Sequence, residues 1–204
     1  KYYDTKSTLR EYDNQFQYIG DAHICSATSI LTLLIIFITY FILATIGATF
    51  GLHRYWAHGI GKRRVWFEWL SLSCALCIGV YKPLGWIGIH RLHHKYHDTP
   101  WDPHSPKHRG VWNVLLSRWN DNVPRNMIKD VINNKRIKFF QRYGKYLIWP
   151  VIIVSPITIL LGYAGMGILN YFGHQSGKPM NRWFINILAP FEGNHDVHHR
   201  NNKR

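Results

Sequence analysis

The sequence predicts an all-α integral-membrane protein whose membrane helices carry a helical cap on their cytoplasmic side. Three observations predict it. Two long runs carry no charge, the remaining charges are mostly basic and concentrated outside those runs, and thirteen histidines fall largely into a few clusters. Of 204 residues, 47% are hydrophobic and only 18% charged, with 25 Lys and Arg against 11 Asp and Glu. A soluble domain carries more charge, spread more evenly. A basic wet face suits loops beside membrane spans, where Lys and Arg meet anionic headgroups. The uncharged runs exclude a nucleic-acid binder. Cys25, Cys74 and Cys77 are too few and odd in number for a disulfide framework. Cys74 and Cys77 form a C-x-x-C among apolar neighbours with no second pair, which reads as buried reduced thiols. The chain starts at Lys1 with neither an initiator Met nor a signal-cleavage pattern, and reads as incomplete.

Taken in order, residues 1–21 are polar and aromatic and read as a surface lead-in. From Ala22 to Leu52 there is no Asp, Glu, Lys or Arg. Its centre, 30–50, is long enough to cross a bilayer as a helix, and Gly47 and Gly51 permit close helix packing. Charge returns at His53–Arg64, which places that end on the cytoplasmic side. Residues 65–89 are apolar but interrupted by Glu68, Lys82 and Pro83, and read as an interfacial helix. Residues 90–145 are basic, with short helices and turns at Pro100, Pro103 and Pro106. The second uncharged run, Tyr146–Gly177, is short for two full spans, which take roughly 40 residues. Pro150, Pro156 and several glycines offer breaks, so 146–174 is expected to form a membrane or re-entrant hairpin that returns residue 174 to the starting side.

Four local patterns carry the chemistry. They are His53-x4-His58, His90-x2-His93-His94, Asn170-x3-His174 and His195-x2-His198-His199. On a helix, positions i, i+3 and i+4 share a face, so each H-x2-H-H directs three imidazoles to one side. His53 and His58 stand about 140° apart on an ideal α-helix and suit a helix end better than a regular stripe. Nine imidazoles and one amide exceed what one metal ion takes, and two ions with four or five nitrogen ligands each would use them all. Imidazole suits iron, copper, nickel and zinc. A structural zinc site is four-coordinate and often thiolate-rich, so redox iron with a position left for oxygen fits the count better.

With these motifs the chain resembles the membrane fatty acyl desaturases, whose signature is an HRxxxxH-type first box, an HRxHH second box and an HxxHH third box. The stretch Trp86–His104 is similar to the Δ9-type branch, as are Phe191–His199 and the Asn170/His174 pair. The resemblance covers about 30–199. It implies that His53, His58, His90, His93, His94, His174, His195, His198 and His199 bind two iron ions, with Asn170 approaching one of them through water. Asp98, Asp102, Glu192 and Asp196 lie beside these ligands and are expected to orient imidazole N–H groups. His97, His104 and His108 match no ligand position. Relatives have an additional span before the first box and continue beyond the third, so residues 1–204 read as a single desaturase domain lacking both.

The implied reaction is O2-dependent insertion of a cis double bond, of Δ9 type, into a saturated acyl chain carried by CoA or a lipid. Such a chain offers no polar handle at the reacting carbons, so its position requires an apolar tunnel and a headgroup clamp. Arg54, Trp86 and Trp101 are candidates for substrate contact. No nucleotide-binding or haem-attachment motif is present, so electrons are expected from an external donor such as ferredoxin or a cytochrome b5. Two rivals stand beside this reading. One is a hydroxylase or oxygenase of the same histidine-rich class, and the other is a non-enzymatic metal-binding membrane protein.

Overall fold

The computed structural model describes residues 28–118 and 122–201. The lead-in 1–21, His23 and Cys25 lie outside the described residues. The chain divides into two compact units, Lys1–Ile38 and Thr39–Arg204. All regular structure among the described residues is helical.

Helix α1, Thr28–Ala57, is long and apolar enough to cross a membrane. In the first unit its described part presents Ile30, Leu31, Leu33, Leu34, Ile35 and Ile38 outward, each more than half exposed. In the second unit the helix loosens over Thr45–Ala57 into a π-helix, with residues bonded five apart. Helix α2, Val65–Cys77, buries Glu68, Ser71, Leu72, Ala75 and Leu76 at i, i+3, i+4, i+7 and i+8. It packs backbone to backbone on α1, because a Cβ on Gly47 would stand 2.4 Å from Ala75 N and one on Gly51 2.7 Å from Ser71 Cβ.

The interfacial helix expected over 65–89 is two helices. Gly79 adopts φ 99°, a left-handed conformation open to glycine, and turns the chain. Pro83 then opens helix α3, Pro83–Tyr96, at a position where its missing N–H costs nothing. Glu68, which reads as an interruption in the sequence, is buried in α2 and meets Tyr55 Oη, Asn134 Nδ2 and Arg136 Nε.

Two short helices follow, α4 (Pro106–Arg109) and α5 (Val111–Leu115). Helix α6, Lys135–Val154, starts at Asn134, whose side chain accepts the N–H groups of Arg136 and Ile137. Pro150 lies inside α6, and the chain breaks instead at Ser155, where helix α7, Pro156–Gly173, departs at a bend of 112°. The segment 146–174 is thus the end of α6 and all of α7. Helix α8, His195–Arg200, is a turn and a half long. Leu52, Trp56, Leu72, Ile87, Ile137 and Phe140 form the main core, which ties α1, α2, α3 and α6 together.

Candidate metal centre

The four histidine patterns converge on two groups of nitrogens. His53, His58, His90, His94 and His198 form one, and His93, His174, His195 and His199 the other; within each, one ring nitrogen per residue lies within 4.8 Å of the rest. Each H-x2-H-H divides between the groups, and the two divide in opposite senses. On α3, His90 and His94 serve the first group and His93 the second. On α8, His195 and His199 serve the second and His198 the first. The three imidazoles of each helix are therefore split because i and i+4 lie about 40° apart while i+3 lies about 60° to the other side of i.

The π-helical end of α1 resolves the spacing of the first box. Bonding five residues apart, with His58 N–H donating to His53 O at 3.0 Å, brings these two residues round to the same side. Their ring centroids are 4.9 Å apart. Helix α7 ends at Gly173, so His174 leaves it at the cap. A Cβ at Gly173 would stand 2.8 Å from the His195 ring, so glycine lets the third box approach this helix end.

Carboxylates fix the rings from behind. His53 Nδ1 lies 2.7 Å from Glu192, His93 Nδ1 2.8 Å from Asp102, and His174 Nδ1 3.0 Å from Asp98. With Nδ1–H donating to the carboxylate, each of these rings turns an Nε2 lone pair toward its group. Asp102 also accepts the backbone N–H groups of Asp98 and His104, both at 2.8 Å. Asp98 takes φ 59°, a left-handed conformation that Asp tolerates better than most residues.

The electrostatics favour neutral ligands. Burial, reinforced by the neighbouring histidines, pushes the pKa of His58, His90, His93, His94, His195 and His199 well below the ordinary imidazole value. Burial alone would raise Glu192, but His53 beside it, together with His198 and Arg54, outweighs that and holds the carboxyl below its usual range. Burial lifts Asp102 to about 6, against the opposing pull of the His104 and Asp98 N–H groups. At neutral pH that pair is a neutral imidazole donating to a carboxylate.

The donor set fits metal ions. Nε2 atoms face one another at 2.8 Å for His53 and His198 and at 2.8 Å for His174 and His195. Other Nε2 pairs, His58 with His90 and His94 with His198, stand at 3.1 Å. Two ligands at right angles on a cation with bonds of about 2.1 Å lie about 3.0 Å apart. Converging lone pairs repel unless a cation lies between them.

The remaining expected site residues fall out as follows. Asn170 is buried one turn before His174 and borders a cavity together with His93 and His195. Asp98, Asp102 and Glu192 meet rings of the two histidine groups, whereas Asp196 turns away to Arg200 at 3.0 Å because its place on α8 faces outward. Trp86 stacks on His90, with centroids 5.1 Å apart and an 8° tilt, and lines the cavity. Trp101 is 74% exposed and is absent from the cavity lining. Arg54 lies over Phe50 and borders two other pockets, one of them beside Glu192 and His198. His97 and His108 are exposed, but His104 is buried with its ring 5.0 Å from that of His93. Sequence reasoning missed Arg91, which binds the end of α1. The signal for it was its place inside the second box.

The cavity has a volume of about 60 Å³. It runs past Tyr40, Ala44 and Ala48 of α1 and Gly162, Gly165 and Met166 of α7, and reaches His53, His90, His93 and His195. Its walls away from the histidines are largely apolar and include several small residues.

Comparison with known proteins agrees with this geometry. The profile of the fatty acid desaturase family matches residues 28–203. The chain is 27% identical to the sn-1 stearoyl-lipid 9-desaturase of Anabaena variabilis over 190 residues, covering 78% of this chain and 68% of the relative. It is 32% identical to the hex-5-enoyl-[acyl-carrier protein] acetylenase of Moorena producens (strain JHB) over 137 residues, covering 59% and 41%. It is also 32% identical to the acyl-CoA Delta(11) desaturase of Spodoptera littoralis over 127 residues, covering 58% and 37%. The matches thus span from about two thirds to little more than a third of these relatives. A chain whose described regular structure is helical, with two convergent histidine groups and a match to that profile over residues 28–203, belongs to the fatty acid desaturase family.

Proposed function

We propose that this chain is an O2-dependent fatty acyl desaturase that introduces a cis double bond of Δ9 type at two iron ions. The observation that carries this reading is an apolar cavity that reaches two groups of histidine nitrogens. The five nitrogens of the first group would hold one ion. The four of the second would hold the other, with Asn170 approaching it through water. When bound, the iron pair supplies O2 activation and the removal of two hydrogens from adjacent methylenes.

The residues of the chain supply position. A saturated chain has no polar group at the reacting carbons, so its register comes from the shape of the cavity. Ala44, Ala48 and Met166 line the stretch between α1 and α7 that a chain of methylenes would follow. Trp86 fixes the His90 ring by stacking and forms part of the wall. Glu192, Asp102 and Asp98 hold their imidazoles in one tautomer, so the ligand lone pairs are set before metal arrives. Arg54 stands at the polar side of the site and meets the acyl headgroup. The relatives named above act on lipid-, acyl-carrier-protein- and CoA-linked substrates by their names, and the chemistry shared among them is the acyl chain. Electrons come from an external carrier, ferredoxin or a cytochrome b5. Helix α1 spans the bilayer, the bent pair α6–α7 enters and returns, and the histidines face the cytoplasm.

The test is the fatty acid profile of a desaturase-deficient host that expresses the chain together with a ferredoxin. A new monounsaturated acid, with its double bond located by mass spectrometry, supports the proposal and fixes the regiochemistry. Hydroxylated acids instead would assign the chain to oxygenase chemistry. Metal accumulation with unchanged lipids would favour a metal-binding role.

A further inference from the structure

Arg91 lies between two ligands of the second box, His90 and His93, yet its side chain points away from the metal groups. A guanidinium carries five N–H donors in a rigid planar fork. All five are engaged here. Nε donates to Ala57 O at 2.8 Å, and Nη2 to Trp56 O at 2.9 Å and Asp130 Oδ2 at 3.0 Å. Nη1 donates to Met127 O at 2.7 Å and Asp130 Oδ1 at 2.6 Å.

Trp56 and Ala57 are the last residues of the π-helical stretch that carries His53 and is capped by His58. Carbonyls at a helix end lack partners within the helix, and that end attracts a cation. Arg91 satisfies both demands from α3. It thereby ties the end of α1 to the helix that bears His90 and His94. These two elements supply four of the five ligands of the first group, whereas only His93 of the second group comes from either element. Asp130 grips the fork bidentately from the far side, which fixes its plane. Few residues of other types could do this. A Lys ammonium has three donors about a point and cannot span two adjacent carbonyls and a carboxylate in one plane.

We infer that Arg91 is a positioning residue for the five-histidine group, setting the approach of His58 to His90 through the carbonyls of Trp56 and Ala57. This rests on the two-metal reading above. Residues that orient ligands from behind typically change metal affinity ten- to a hundred-fold. Arg91→Lys and Arg91→Ala are therefore expected to weaken iron binding in the first group by that factor. The second group should retain its ion.

The experiment is iron titration of the purified full chain in detergent, read by metal analysis and Mössbauer spectroscopy, with the unfolding midpoint recorded for each variant. The unchanged chain should bind two irons, and a failure there counts against the two-metal reading, not against Arg91. Arg91→Lys binding close to one iron, with one of two spectral components lost and the unfolding midpoint of the metal-free protein little changed, is the expected result. Two irons at unchanged affinity overturns the inference. Equal loss of both components, with a fallen midpoint, also overturns it, because a general structural role predicts that outcome. If neither Arg91 variant folds, Asp130→Ala decides by the same readout, since it removes the carboxylate that fixes the plane of the fork and so loosens its hold on the carbonyls of Trp56 and Ala57.

Discussion

At the scale of single residues, the nine nitrogens of the candidate site were legible in the sequence because histidine is uncommon and its spacing of three and four matches the helical repeat. Their partition was not, since a helical wheel gives the direction of a side chain but not its partner on another element. The reciprocal split of His90/His94/His93 and His195/His199/His198 depends on α3 and α8 facing each other. Asp196 shows the same limit, because adjacency to a ligand in sequence put it on the wrong side of a short helix. His93→Ala should remove one ion and abolish turnover, as metal analysis and product assay would show. Asp102→Asn leaves the ring in place but replaces its charged acceptor, and should weaken metal binding ten- to a hundred-fold. Unchanged affinity would mean that this carboxylate contributes little to the orientation of His93.

At the scale of elements, the first apolar helix and its glycine-mediated packing follow from the sequence. Gly47 makes a direct prediction. Its added Cβ would meet the α2 backbone at 2.4 Å, so Gly47→Ala must push the helices apart and should cost about 1–3 kcal/mol. A thermal midpoint equal to that of the unchanged protein would contradict the close packing. Glu68 was misread because a charge in an apolar stretch looks like a surface interruption. Its partners Asn134 and Arg136 are remote in sequence and invisible to any local pattern. Glu68→Ala leaves Arg136 facing the core without its carboxylate and should destabilise by about 3 kcal/mol, less than a fully buried pair because Arg136 keeps some solvent. The π-helical end of α1 was likewise hidden, since no residue type specifies it. Only the conflict between a five-residue spacing and a 3.6-residue repeat hinted at it.

At the scale of the whole molecule, the buried histidines couple folding to pH. Burial pushes His104 down to about 3 and holds six of the candidate ligands low as well. In the unfolded chain these groups bind protons near the ordinary value of about 6.5. Unfolding therefore takes up protons below that value, and stability falls as pH falls. Asp102, raised to about 6, works in the opposite direction but is one group against seven. The metal-free protein should lose thermal stability steadily from about pH 7 to about pH 5 and change little above about pH 7. A flat profile would show that the histidines are already charged or solvated in the fold.

Helix α8 has a consequence for how this molecule holds together. At six residues it is too short to persist alone, since isolated helices below about 12 residues are marginal in water. Yet it supplies three imidazoles whose partners lie as far back as His53. Two bound ions would act as cross-links closing a loop of more than a hundred residues, and the order of this segment would come from coordination more than from packing. Chelation should then release it first. In hydrogen exchange, amides of 195–200 would open on iron removal while those of α2 and α6 stay protected.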